Sequence, residues 1–573
     1  MTAPLQTPLA FASSRWRSLA VLLVGSFMVL LDTSIVTNGL ATIQRDIHAT
    51  SAEVQFVLTA YAIAFGMLLI TGGRLGDRYG RKRMFVLGLL GFTLTSALCG
   101  LAWSPLALVI FRILQGMSAA LLFPQVSSFI QVLFPLGERP RAFGIQGAII
   151  GLSIVAGPLL GGVLISANLF NAQWRPIFLI NVPIGLLALV LATRVLPEST
   201  SEDARSFDIP GVVILSVALF LLTYPIIQGR DEGWPAWIFG LLAASLPVLG
   251  LFVVQQRRLI ARGQAPLVQL SLFRDRAFTV GALITFVFQA SVLSYFVAMS
   301  LFFQAGLGYT PIQAALLLIA YQVAIVVGSL LSARLSVFLG RTILMLGTFL
   351  LALSLVATLL ILRATALEYR GYELIPALLV GGFGFGCVVA PLQSIILARV
   401  TPIFAGSASG VLATVQQVGS ALGVAIIGVL LFGQLASGAD AASGRAVPRL
   451  AHTLAALPLS TPAVRTITTN FEVCFHDRSL QSDPYVTPAS CQTADGRLPP
   501  TVVTSVGRAI THAATQARRE NFLDAIEVTL RFQLAAYILC FVLVGFLPRK
   551  PVGRVARAEE SISSSADYET VSN

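Results

Sequence analysis

Charge is what this sequence has least of. Asp, Glu, Lys and Arg make up 11% of its 573 residues, against about 25% in a typical soluble domain. Hydrophobic residues make up 56%, so a mainly soluble protein is excluded. The shortage is also local. No charged residue lies from Met84 to Phe111, from Ala277 to Ala333, or from Val400 to Ala439. Histidine (4) and cysteine (5) are scarce as well. The spans contain no ligand cluster at metal spacing, no nucleotide-binding loop, no nucleophile constellation and no repeated ring of pore charges, which argues against a membrane enzyme or a channel. The first apolar segment carries Asp32 and lacks a small-residue cleavage site, so it reads as an uncleaved span rather than a signal peptide.

What is present is apolar sequence in helix-length blocks. A membrane helix needs about 20 apolar residues. The Ala277–Ala333 run therefore holds two spans, turning at Gly306-Leu307-Gly308-Tyr309-Thr310-Pro311. Fourteen spans are predicted, near 18–40, 54–73, 84–103, 105–130, 142–165, 176–193, 209–227, 236–256, 277–304, 311–333, 342–362, 374–396, 405–432 and 526–547. With both termini in the cytoplasm, the cytoplasmic segments hold 23 Lys and Arg and the short outer loops hold 5. That asymmetry orients the chain N-in and C-in. The net charge of +12 then meets anionic lipid headgroups and calls for no nucleic acid. The expected location is the cell membrane.

The expected domains follow from these blocks. A cytoplasmic N-terminus (1–17) precedes a six-helix bundle (18–193) and a polar cytoplasmic linker (194–208). Two extra helices (209–256) and a cytoplasmic loop (257–276) come next. A second six-helix bundle (277–547) includes a hydrophilic outer loop (433–525), and a disordered cytoplasmic tail closes the chain (548–573). Within the outer loop, 503–525 reads as a helix lying on the outer surface. A shift of 260 residues lays Arg74-Leu75 on Arg334-Leu335 and Gly80-Arg81 on Gly340-Arg341, with Val337 where Asp77 would fall. The echo suggests two parallel halves around a central site.

The loop Gly73-Arg74-Leu75-Gly76-Asp77-Arg78-Tyr79-Gly80-Arg81-Lys82-Arg83 holds five basic residues between two apolar runs. It resembles the loop 2–3 motif of the major facilitator superfamily, G-x-L-[AG]-D-R-x-G-R-[KR]. Gly157-Pro158-Leu159-Leu160-Gly161-Gly162 resembles the G-P-x-x-G-G motif of facilitator antiporters, and Phe111-Arg112-Ile113-Leu114-Gln115-Gly116 resembles the span 4 motif R-x-x-Q-G. Trp174 to Gly185 is similar to the W-R-x-x-F-x-I-N-x-P-x-G of the fourteen-span drug/proton antiporters. The span 1 pattern departs from that branch at Ser34, Thr37 and Ala41. The resemblance implies an all-α polytopic protein of the major facilitator fold, two six-helix bundles plus two extra helices. It also implies proton-driven export of lipophilic compounds. By the same resemblance Gly73, Asp77, Arg78, Gly80 and Arg81 form a latch between the halves that favours the outward-facing state. Positive charge alone would orient the loop, but Asp77 adds nothing to that bias. The small residues Gly147, Gly151, Gly157, Gly161 and Gly162, with Pro158, read as a close-packed, bent span 5.

Asp32 is the clearest acid within a span. A carboxylate in hydrocarbon is costly unless paired, hydrated or protonated, so proton coupling is the leading reading; a helix-packing hydrogen bond is the alternative. Arg112 is its expected partner. Asp32 stands about 21 Å from the cytoplasmic start of span 1, and Arg112 about 10 Å from the outer start of span 4, at about 1.5 Å per residue. In a core about 30 Å thick the two reach one depth and are expected to face one cavity. The alternative for Arg112 is bonding to backbone carbonyls of broken helices. Gln115, Asn181, Phe288, Gln289, Tyr295, Gln322 and Gln416 are the candidate substrate-cavity residues, since aromatic rings with a few polar groups suit a lipophilic ligand.

No acid lies deep in spans 9–13, so neutral or monocationic substrates are expected rather than dications. Cys474 and Cys491 lie in the outer loop and form a candidate disulfide. No metal and no cofactor is expected; the proton gradient is the energy source. The expected partners are a lipophilic small molecule, protons and membrane lipids, and the protein is expected to be a monomer. The reading is thus a multidrug-type efflux antiporter working by alternating access. The alternative is an exporter of a lipid, glycolipid or self-made metabolite that uses the outer loop.

Overall fold

Among the described residues of the computed structural model, fourteen helices are long and apolar enough to cross a membrane. The structure describes residues 8–168, 171–200, 207–229, 232–365, 371–480, 488–491 and 500–548. Residues 201–206 of the linker and 549–573 of the expected disordered tail lie outside the described residues. The helices are α1 (Pro8–Asp46), α2 (Ser51–Tyr79), α3 (Arg81–Gly100), α4 (Pro105–Leu133), α5 (Arg139–Ala167), α6 (Pro176–Leu179), α7 (Asn181–Val195), α8 (Ile209–Gln228), α9 (Ala236–Ala261), α10 (Arg276–Leu301), α11 (Pro311–Leu339), α12 (Thr342–Thr365), α13 (Ile375–Leu397), α14 (Ala405–Ser437), α15 (Ala439–Ala455), α16 (Thr461–Ser479) and α17 (Pro500–Val544). The short α6 and the longer α7 together make the sixth span.

Two six-helix bundles repeat one packing scheme. In the first, α2 packs on α4, α3 on α4 and α1 on α5; in the second, α11 packs on α13, α12 on α13 and α10 on α14. The bundles meet where α5 packs on α11 and α14 on α2. The 260-residue echo is a structural repeat. Both α2 and α11 have 29 residues, and each opens on a capping box, Thr50 with Glu53 and Thr310 with Gln313. Each box satisfies backbone donors that the first turn of a helix leaves without an intrahelical partner. Each helix ends on a positive-φ glycine, Gly80 (φ 108°) and Gly340 (φ 54°), where a side chain would be strained. The extra pair, α8 and α9, pack on each other, and α8 also touches α2 and α14.

The hydrophilic segment after α14 is a helical subdomain. Ala442, Leu450, Leu454, Phe471, Phe475, Val506, Ala513 and Ala517 share its core. Arg445 ties α15 to α17 through Glu520 at 2.9 Å and Asp524 at 3.0 Å. A disulfide joins Cys474 to Cys491. The expected surface helix at 503–525 is corrected here. It is the upper part of α17, which continues unbroken into the last span because no Gly or Pro falls between Gly507 and its end.

The end of the molecule that carries the Arg-rich loop, here the basic end, is shut by backbone contact. A Cβ on Gly73 would meet the carbonyl oxygen of Gly406 at 2.1 Å, and one on Gly406 would meet that of Gly73 at 2.2 Å. Only glycine permits α2 and α14 to approach so closely. Gly73→Val is expected to wedge the halves apart. Thiol labelling of a cysteine placed in this seam should then run several-fold faster than in the parent; equal rates would show that the seam is not closed in the membrane.

Candidate functional site: a buried carboxylate network and a lock at the basic end

Asp32 lies in the middle of α1 with no solvent exposure, and Arg112 of α4 is 1% exposed. Arg112 Nη1 donates to Asp32 Oδ2 at 2.5 Å. The other oxygen, Oδ1, accepts from Gln115 Nε2 at 2.9 Å and from Asn181 Nδ2 at 3.2 Å. Three donors from α4 and α7 thus converge on an acceptor-only group, the arrangement that suits an ionised carboxylate. Arg112 has further partners. Its Nε donates to the Val57 carbonyl at 3.1 Å, its Nη1 to Gln115 Oε1 at 2.8 Å, and its Cζ lies 4.1 Å from the Tyr61 ring centre. Asn181 also donates to Ser96 Oγ at 3.1 Å. Arg112 thus pairs with the acid and also bonds a carbonyl of α2, one that lies within an unbroken helix rather than at a broken one.

Two expectations change. Asp32 and Arg112 do meet, but they do not line an open cavity; both are sealed among the helices of the first bundle. Gln115 and Asn181, expected to line a substrate cavity, have no exposure and are engaged by Asp32. Phe288 and Tyr295 are each 2% exposed and pack in the second bundle. Phe288 lies 5.3 Å from Phe385 and Tyr295 5.6 Å from Tyr321. Gln322 is buried nearby, and its Oε1 finds no partner among the described residues. Gln289 and Gln416 remain half-buried. The physical reason is that aromatic rings of a membrane bundle gain more by packing on each other than by waiting in an empty space. A cavity of about 40 Å³ between α14, α16 and α17, lined by Phe432, Phe475, Arg478, Asn521 and Phe522, holds none of the expected residues.

The Arg-rich segment, which ends α2 and opens α3, ties the two halves together in a contact we call the lock. Asp77, fully buried, accepts from the backbone N–H groups of Gly406 at 3.0 Å and Ser407 at 2.9 Å. These belong to the first turn of α14, whose unsatisfied amides and dipole favour an anion. Arg81 Nη2 donates to Asp77 Oδ1 at 2.7 Å and to the Pro402 carbonyl at 2.8 Å. Arg78 stands aside, stacked on Tyr79 and Phe207. In the second half Arg341, the echo of Arg81, donates instead to the carbonyls of Gly545 and Leu547 at the end of α17. With Val337 in place of an acid, the second half has no lock of its own at this position.

Span 5 divides its small residues between two neighbours. Gly147 and Gly151 face Ser329 and Ile325 of α11, and Gly157 lies against Ser34 of α1. Gly161 is buried. Gly162 is the exception to the expected close packing: a Cβ there would meet nothing within 4 Å. Pro158 sits inside α5, which runs on to Ala167.

The Trp174–Gly185 motif serves two separate acids. Asn181 reaches Asp32, while Trp174 Nε1 and Arg175 Nη1 donate to Asp46 Oδ2 at 3.0 and 2.5 Å. Tyr61, Ser96 and the Val57 carbonyl were not foreseen. Tyr61 and Ser96 are polar groups inside apolar spans, which is the signal that could have found them.

Residues 22–424 match the Major Facilitator Superfamily. The chain belongs to that superfamily. A probable actinorhodin transporter of Streptomyces coelicolor is 39% identical over 538 residues, 94% of this chain and 92% of that protein. A tetracenomycin C resistance and export protein of Streptomyces glaucescens is 33% identical, covering 73% of this chain and 76% of that one. The multidrug resistance protein Stp of Mycobacterium tuberculosis is 32% identical, covering 74% and 77%. The crystal structure of the human organic anion transporter MFSD10 (TETRAN) superposes with a TM-score of 0.53 at 15% identity, over 94% of this chain and all of that one. The fold is thus that of the facilitators, and the fourteen spans fit the fourteen-span branch. The chain is a multi-pass transporter of the cell membrane, not an enzyme.

Asp46 gives a test of the far end. Burial raises its carboxyl, but the hydrogen bonds from Arg175 and Trp174 and the Arg175 charge outweigh burial and hold it below its ordinary value. A lowered carboxyl stabilises the fold above about pH 4 and loses that contribution as pH falls through its folded value. Asp46→Ala is therefore expected to lower the melting temperature by a few degrees at neutral pH, and the gap to wild type should shrink in acid. A gap independent of pH would count against the ion pair.

Proposed function

We propose that this transporter is a proton-coupled efflux antiporter. It exports lipophilic, neutral or monocationic small molecules by alternating access, with both termini in the cytoplasm. The observation that carries the proposal is the sealed Asp32 network. Three donors serve the charged carboxylate, and Arg112 keeps other acceptors when the proton arrives. Protonation at Oδ2 displaces Arg112 Nη1 from that oxygen, while Gln115 and Asn181 retain Oδ1. Arg112 then holds Gln115 Oε1, the Val57 carbonyl and the Tyr61 ring, but its charge is no longer neutralised locally. A bare cation in hydrocarbon is unfavourable, so the network drives α1 and α4 to a new arrangement.

The excess of Lys and Arg at the basic end supports placing it in the cytoplasm. On that reading the engaged lock corresponds to a state closed to the cytoplasm. The names of the relatives support export as the direction. One charge crossing about 100 mV supplies about 2.3 kcal/mol, enough for a gradient of roughly fifty-fold. In proteoliposomes, a panel of neutral, monocationic and dicationic lipophiles should elicit proton movement with the first two classes. Asp32→Asn should abolish that signal while the protein still inserts and folds. Full pumping by the variant would sink the proposal.

A second reading is favoured by one observation. The relative named a probable actinorhodin transporter matches 94% of this chain, so the likeness extends past the last residue of the superfamily match into the subdomain. Export of a self-made metabolite guided by the subdomain fits that extent. Deleting 439–499 and keeping α17 separates the two. Loss of export of such metabolites with intact drug export favours the second reading; indifference favours the first.

A further inference from the structure

The extra helices α8 and α9 are wired into the lock by buried hydrogen bonds. Asp208 caps α8, its Oδ1 accepting from Gly211 N at 2.8 Å. Its Oδ2 accepts from Gln256 Nε2 of α9 at 2.6 Å. Gln256 Oε1 accepts in turn from the Val268 amide at 3.2 Å, in the loop that follows α9. One residue earlier, the Leu267 carbonyl accepts from Ser407 Oγ at 3.2 Å. Ser407 is the residue whose amide holds Asp77. Every member is nearly sealed from solvent: Asp208 is 6% exposed, Val268 3%, Ser407 and Leu267 1%, and Gln256 0%.

The path also closes on itself. Arg78 of α2 stacks 5.7 Å from the ring centre of Phe207, the neighbour of Asp208. From α2 the contacts run through Phe207 and Asp208 to Gln256, through the 267–268 segment to Ser407, and back to Asp77 of α2. The ring joins first half, extra helices and second half. α8 touches both α2 and α14, the two helices that the lock holds together.

We propose that α8 and α9 clamp the lock, with Asp208 and Gln256 as positioning residues. Opening the basic end must break the direct Asp77 contacts and also one link of the ring. Both routes are made only while the halves are together, so both bias the same equilibrium. The extra pair thus sets how long the transporter stays closed at the basic end. The inference rests on reading Asp77 as a gate between the halves.

The test is a distance measurement by pulsed electron resonance on the full-length protein in lipid. Spin labels go on Arg83→Cys in the first half and Phe338→Cys in the second, both exposed at the basic end. Asp77→Asn should raise the long-distance population. Gln256→Ala, which removes both of its buried hydrogen bonds, should raise it by about three-fold or more. Ser407→Ala should do the same; it removes only a hydroxyl and keeps the amide on Asp77, so it guards against misfolding of the Gln256 variant. Added to Asp77→Asn, either change should raise it further by a similar factor until the population saturates, as expected of two routes that bias one equilibrium. If Asp77→Asn opens the basic end and both other variants leave it shut, the clamp is refuted and the gate stands. If Asp77→Asn leaves the distances unchanged, the gate reading fails and the clamp with it.

Discussion

A charge inside hydrocarbon has to be neutralised where it stands, and the first bundle is arranged around that constraint. Asp32 and Arg112 come from α1 and α4, and neither could be buried without the other. Gln115 and Asn181 take up the remaining lone pairs, and Tyr61 faces the guanidinium. Five elements of the bundle therefore owe part of their placement to one ion pair. The same constraint acts at the basic end, where Asp77 is buried against Arg81 and the first amides of α14. In both places an acid is surrounded by donors, and in both the donors come from a different helix.

The two halves share a backbone but not a chemistry. Capping boxes and terminal glycines recur 260 residues apart, so α2 and α11 are built alike. Two arginines recur, but the acid does not. Where the first half has Asp77, the second has Val337; where Arg81 reaches across to Pro402, Arg341 turns inward to finish α17. The interior of the second half is filled with Phe288, Tyr295, Tyr321 and Phe385, which pack as rings. Among the described residues the fully buried ion pairs thus belong to the first half, and packed rings fill the interior of the second. A repeated fold has been divided between two tasks.

Much of this was legible in the sequence because membranes make few rules and enforce them strictly. Helix length follows bilayer thickness, so fourteen spans could be read from apolar runs alone. Depth follows from residue count, so Asp32 and Arg112 could be matched before any contact was seen. The rest depends on direction around a helix axis, which composition does not carry. Gln115 and Asn181 turn toward Asp32 rather than toward a ligand. Phe288 and Tyr295 turn into the bundle. Asp208 fell at the end of the expected linker and Gln256 at the end of an expected span, and nothing marked them as partners, because their bonds pass through a loop whose path only the fold determines. The hydrophilic stretch after α14 looked like loop because its helices are short of apolar residues, yet they share enough core to fold.

The length of α17 has a mechanical consequence. At 45 residues it is about 68 Å long, more than twice the thickness of the hydrocarbon core, about 30 Å. The subdomain is gripped to its upper part by Arg445 and by a shared core. The helix is therefore a lever with its short arm in the membrane and its long arm in water. Any rocking of the second bundle swings the subdomain through an arc larger than the motion that caused it. A transporter that is hard to observe within its bilayer carries its own pointer outside it.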